Sequence, residues 1–205
     1  GVGRDGGRLT MRTPSTATKG PSGAREVVRL TGLPPVISAQ TRLLVLGSFP
    51  GKASLEAGQY YSHPRNHFWP ILQAIFGSSQ RKMALDSYEK RIDWLLSNGV
   101  GLWDVYASCE RDGSLDSAIR HPEVNDFGQL AARCPQLRAI AHNGGESFRH
   151  ARHTALLGLP VHRLPSTSPA NASWSFERKR VAWHEVFAEH GIEPLSFDGV
   201  RSTGI

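Results

Sequence analysis

Three short stretches of this chain gather residue types that can act on a flat, polar ligand. The first is Gly47-Ser48-Phe49-Pro50-Gly51-Lys52, in which two glycines flank a proline. Such a loop is tight and rigid, and its backbone N–H groups can approach a ligand without side chains intervening. It follows Leu43-Leu44-Val45-Leu46, an apolar run too short for a helix and suited to a buried parallel strand. Open α/β sheets bind ligands just past the carboxyl ends of their strands, which is where this loop falls. Its spacing argues against a nucleotide triphosphatase: that motif needs four residues between its glycines and a Ser or Thr after the lysine. Here three residues separate Gly47 from Gly51, and Ala53 follows Lys52.

The second stretch, Tyr60-Tyr61-Ser62-His63-Pro64-Arg65-Asn66-His67-Phe68-Trp69, packs four aromatic rings, two histidines and an amide together. The third, Leu164-Pro165-Ser166-Thr167-Ser168-Pro169-Ala170-Asn171, again reads as a strand ending in a loop of small residues. Taken in order, the three resemble the motifs of the uracil-DNA glycosylase superfamily, and most closely its hypoxanthine-DNA glycosylase branch. The first loop resembles the first motif and the third stretch the second, and the likeness runs from about Thr41 to His190.

That resemblance implies a three-layer α/β/α fold around a four-stranded parallel sheet. It implies a monofunctional enzyme that flips a deaminated base, uracil or hypoxanthine, out of DNA and hydrolyses its N-glycosidic bond, leaving an abasic site. No metal and no cofactor belong to such chemistry. A pocket, a stacking ring, an edge reader and positive dipoles facing the departing base are required. Gly47, Phe49, Pro50, Gly51 and Tyr61 are the expected pocket residues, with Phe68 as the stacking ring and Asn143 as the edge reader. Pro165, Ser166, Thr167, Ser168, Pro169 and Asn171 are the expected grip on the DNA backbone.

Two positions depart from the uracil-specific pattern. Phe49 stands where that branch has a water-orienting Asp, and Gly51 where it has a bulky tyrosine, so the pocket is expected to be more open. Asn66 matches an asparagine of the hypoxanthine branch and is the catalytic candidate, with Ser48 beside it; Asp104 and His63 are weaker alternatives. An amide is no general base near neutral pH, so Asn66 would position water and stabilise charge. The missing acid also keeps open a module that binds damaged or single-stranded DNA without cutting it.

Each residue also has a plainer reading. Phe68 could be one more core ring, Asn143-Gly144 a turn, Asn66 a helix cap and Trp174 a core residue rather than a wedge. Arg178-Lys179-Arg180 reads as a solvated helix face. An amide at position 143 offers one donor and one acceptor, which fits the carbonyl and ring N–H shared by uracil and hypoxanthine and rejects cytosine and adenine.

The elements that must hold these loops alternate. Strands are expected at Leu43–Leu46, Val100–Tyr106, Leu137–Ala141 and Val161–Leu164. Helices are expected from His67 to Phe76, Leu85 to Leu96, Phe127 to Cys134, Glu146 to Leu157 and Ser175 to His190, with Arg111 to Asn125 a polar excursion. The length of 205 residues suits a single domain, here 28–205, preceded by a disordered basic arm over 1–27 rich in Gly, Ser, Thr, Pro and Arg. A formal charge of +6 fits a polyanionic partner. No apolar run is long enough for a membrane span, and a cytosolic, nucleoid-associated monomer is the simplest expectation. Cys109 and Cys134 are too few for an iron–sulfur site and are expected to be structural thiols.

Overall fold

The computed structural model describes residues 28–77 and 87–192. The expected basic arm lies outside the described residues, as does the start of the helix expected from Leu85. The centre of the molecule is the five-residue strand β2 (Leu43–Gly47), buried along its whole length. Its neighbours are β3 (Val100–Asp104) and β6 (Ala139–Asn143), and β7 (Val161–Leu164) follows β6 at the edge. All pairings are parallel, in the order β3-β2-β6-β7. This is the expected four-stranded parallel sheet, and its central strand β2 carries no polar side chain because both faces of the sheet are covered.

Alternation along β2 divides the core in two. Leu43 and Val45 join a cluster with α2 (Phe68–Phe76), α3 (Tyr88–Ser97) and α7 (Phe176–Glu189), while Leu44 and Leu46 face a second cluster with Trp103, Tyr106 and Phe127. On that second face lie α1 (Lys52–Ala57) through Leu55 and α4 (Leu130–Arg133) through Leu130. Both cysteines are free and buried there. The helix expected over Glu146 to Leu157 is two short ones, α5 (Gly145–Phe148) and α6 (Ala151–Ala155), interrupted at Arg149 and His150.

Two expectations need correction. Val100 to Tyr106 is not one strand: β3 ends at Asp104, and after Val105 the chain enters β4 (Tyr106–Glu110) of a separate antiparallel sheet, ordered β1-β4-β5 with β1 (Arg29–Thr31) and β5 (Arg120–Val124). The excursion from Arg111 to Asn125 therefore contains a strand and a 3₁₀ turn at Asp116–Ala118. Residues Arg120-His121-Pro122-Glu123 are exposed and carry no alternating apolar pattern, so an edge strand there leaves no period-two signal.

Candidate active site

The three chemical stretches converge on one cavity of about 780 Å³ at the carboxyl end of the parallel sheet. The first loop forms one wall and Ser166 to Asn171 the opposite one. Tyr61, Asp104 and Asn143 also line the cavity.

Backbone pairing fixes the first loop, since the N–H groups of Val105 and Tyr106 donate to the carbonyls of Gly47 (2.8 Å) and Ser48 (3.0 Å). The Ser48 hydroxyl donates to Asp116 Oδ1 at 2.6 Å. Phe49 is buried beneath the Arg111 guanidinium, 5.1 Å from its ring centre, and Arg111 also donates to the Pro50 carbonyl. Position 49 thus anchors the loop and contributes an apolar wall. Gly51 begins α1, and a β-carbon there would meet nothing nearer than Ser114, at 3.7 Å, which agrees with the open side expected of a glycine in this place.

Two buried side chains on the cavity wall, Asp104 and Tyr61, keep unmet hydrogen-bonding capacity among the described residues. Asp104, at the last position of β3, is 4% exposed, and its Oδ2 makes no hydrogen bond among the described residues. Burial, reinforced by the nearby charge of Asp116 and opposed by Arg111, pushes this carboxyl up to about 7. A β-carbon placed on Gly47 would lie 2.4 Å from Asp104 Oδ1 and 3.3 Å from the Tyr61 hydroxyl, so only glycine leaves room for both groups here. The Tyr61 hydroxyl is likewise buried without a hydrogen bond of good geometry, and burial holds it well above the usual phenol range. Tyr61 occupies the left-handed region (φ 56°), a conformation that costs a non-glycine residue energy and is concentrated at working sites.

Phe68 sits elsewhere than a stacking ring should. It is 0% exposed and absent from the cavity wall, with Tyr61 stacked on it at 4.1 Å. The aromatic residues that line the cavity are Phe49, Tyr60 and Tyr61, and Phe68 backs Tyr61 from the core. Asn143 does line the cavity, with its amide already engaged: Oδ1 accepts from Thr167 N–H at 3.0 Å, and Nδ2 donates to Thr167 Oγ1 at 2.9 Å. A backbone N–H can only donate, so the pair fixes which end of the amide is oxygen. The Tyr61 hydroxyl is a further hydrogen-bonding neighbour of this side chain, and one lone pair of the Asn143 Oδ1 remains for a ligand.

Thr167 is therefore buried and ties the second loop to β6 rather than facing a phosphate. Pro165 is absent from the wall, and its carbonyl accepts from Trp183. Ser166, Ser168, Pro169 and Asn171 do line the cavity, held by bonds from Ser168 N–H to Ser166 Oγ and from Asn171 Nδ2 to the Ser166 carbonyl. Asn66 is where the cap reading placed it, since its Oδ1 accepts from Phe68 N–H at 2.9 Å. That bond leaves the Asn66 NH₂ group as the free end, on the cavity wall. Trp174 belongs to neither core cluster and carries Arg178 stacked 4.3 Å above it.

Ser114, Leu115, Asp116 and Ser117 complete the wall and come from the polar excursion, where nothing in the local pattern marks them. A substitution of Thr167 by Val, equal in shape but lacking the hydroxyl, leaves the Asn143 NH₂ buried and unpaired. Thr167→Val is expected to cost about 1–2 kcal/mol in urea denaturation. An unchanged midpoint would mean that the Thr167 N–H alone holds the amide.

The family model for the uracil DNA glycosylase superfamily matches residues 34–187. The hypoxanthine DNA glycosylases of Methanosarcina barkeri and Methanosarcina acetivorans are 36% and 38% identical to this chain over 156 residues, covering 76% of it and 96% of each relative. The solution NMR structure of a Methanosarcina acetivorans protein, provisionally designated a uracil DNA glycosylase, superposes with a TM-score of 0.70 at 35% identity, over 80% of this chain and 99% of that one. With its parallel sheet, its convergent loops and a match across nearly the whole described core, the chain belongs to the uracil DNA glycosylase superfamily.

Proposed function

We propose that this protein is a DNA glycosylase that accepts a flipped deaminated base, hypoxanthine first and uracil second, and hydrolyses its N-glycosidic bond. The observation that carries this reading is the buried Asp104 Oδ2, without a partner among the described residues, on the cavity wall with the Tyr61 hydroxyl, whose hydrogen-bonding neighbour is Asn143. Leaving a buried acceptor unsatisfied costs about 1–3 kcal/mol, a cost that a ligand with a matching group removes. A carboxylate accepts the ring N–H of hypoxanthine or uracil, and a phenol donates to the adjacent carbonyl. Adenine and cytosine reverse that pattern, presenting a ring lone pair to the carboxylate.

The chemistry needs little from an acid at position 49. Once the base is held, the departing ring nitrogen becomes negative, and fixed donors around it lower the barrier. The Asn66 NH₂, oriented because Asn66 Oδ1 accepts from the Phe68 N–H, is one such donor. Ser48 is turned away towards Asp116, so its role in this reading is to hold the loop and Asp116 in register. Ser166 and Ser168 present hydroxyls to the flanking backbone.

A second reading, DNA binding without cleavage, draws on the buried phenylalanine at position 49. One assay separates the two. Duplexes with a single hypoxanthine, uracil or thymine are incubated with the protein and treated with alkali. Scission at hypoxanthine, weaker scission at uracil and none at thymine are expected. Binding to every duplex with no scission at all would leave only the second reading.

A further inference from the structure

Behind the second loop, at the start of α7, lies a separate hollow of about 500 Å³ whose lining includes no carboxylate. Its polar groups are of one sign or neutral. Lys179, on the first turns of α7, is 1% exposed and forms no ion pair among the described residues. Among the described residues the one acceptor bonded to its ammonium is the Ser168 carbonyl, at a long 3.5 Å. Burial alone pulls this amine below its ordinary range. His67 lines the same hollow, where burial and then the Lys179 charge pull its imidazole below the ordinary range, and its Nδ1 is buried without a partner among the described residues. Arg65 lies on the same wall, and Arg178 is held over the rim by Trp174. Glu177, the nearest acid in sequence, is taken by Arg180.

A buried cation with one marginal acceptor is expensive unless an anion completes it. The hollow adjoins the base cavity, since Arg65, Asn66, Pro169 and Asn171 line both. We propose that this hollow is a second anion site that takes a backbone phosphate of the DNA strand, with Lys179 as its fixed charge and His67 and Arg65 as further donors. The positive end of the fourteen-residue helix α7 adds to the same field. The phosphate would belong to a nucleotide flanking the flipped one, so the site would set the register of the strand and leave the base unread. This inference rests on the glycosylase reading for the identity of the anion, and its test is independent of bond cleavage.

The alternative is that Lys179 is a prop, tying α7 to the loop through Ser168. Lys179→Met keeps the stem and removes the charge, and Lys179→Arg keeps the charge. For an anion site, Lys179→Met melts at the same or a higher temperature than wild type in phosphate-free buffer, because the desolvation cost has gone. The same variant binds an undamaged duplex about ten-fold more weakly at low salt, with its slope of log K against log [NaCl] shallower by about one. Lys179→Arg retains the slope. Inorganic phosphate raises the melting temperature of the wild type and not that of Lys179→Met. A lower melting temperature with an unchanged slope would overturn the proposal in favour of the prop. Loss of the phosphate response with an unchanged DNA slope would overturn it in favour of a site for free phosphate. Absence of scission on every damaged duplex with the slope still reduced would sink the glycosylase reading while the anion site stood.

Discussion

Replacing Asp104 with leucine is expected to lower hypoxanthine excision by about 10²–10³-fold, the usual effect of deleting one preorganised polar contact in a water-poor site. The same change is expected to make the protein more stable above neutral pH. The sign follows from the direction of the shift. The Asp104 carboxyl is raised from 3.8 to about 7 in the fold. Between those values the folded protein keeps a proton that the unfolded chain has released, so stability falls as pH climbs through the window and reaches its floor above 7. Removing the acid removes that penalty, which is at most on the order of 4 kcal/mol. Circular dichroism melts at pH 8 and pH 5 check it: the gain from Asp104→Leu should be present at pH 8 and shrink at pH 5. A variant that loses stability and activity together would instead mark Asp104 as a purely structural residue.

Activity runs the opposite way with pH. The ionised carboxylate is the stronger acceptor for a ring N–H, so kcat/KM on hypoxanthine should fall as pH drops through about 7, the value to which the carboxyl is raised. Asp104→Asn supplies an acceptor that does not titrate. That variant should excise with a flattened profile, and an unchanged midpoint in it would assign the titration to another group.

The second large effect concerns Asn66. Asn66→Ala should slow single-turnover excision by about 10²-fold with DNA affinity altered less than about three-fold, because the amide acts on the departing charge and not on the bound ground state. The alanine also removes a helix-start bond, at a cost of about 1 kcal/mol. Asn66→Asp separates the two roles. Its carboxylate still accepts from Phe68 N–H and suits the start of a helix, yet it has no NH₂ to offer. A stable and slow Asn66→Asp supports the donor role. One that excises at the wild-type rate shows that only the cap mattered.

Much of this could be read along the chain, and the reason is locality. The buried run Leu43–Leu46 and the Gly-Ser-Phe-Pro-Gly turn after it are short-range patterns, and they located the central strand and the loop at its carboxyl end. Asn143 and Ser166 to Ser168 were legible as strand ends in the same way, and the structure brings them to one cavity with that loop. The antiparallel strand at Arg120–Val124 was not legible, because its side chains face water and carry no periodic signal.

What only the tertiary structure decided is which of these groups are satisfied. Phe68 and Tyr61 are both plausible rings in sequence, and packing hides the first behind the second. Asn143 is an unengaged amide on paper, and Thr167 from a distant loop takes both its ends. Lys179 sits in a charge run of the kind that normally faces solvent, yet it is buried beneath the second loop. Asp104 is only a secondary catalytic candidate along the chain, and it is burial beside Gly47 and Tyr61, with the charge of Asp116 adding to it and Arg111 opposing it, that raises its carboxyl. Strands and turns are fixed by neighbours along the chain, whereas desolvation and hydrogen-bond partnership are fixed by neighbours in space, so the sequence determined the scaffold and the fold determined which polar groups were left waiting for a ligand.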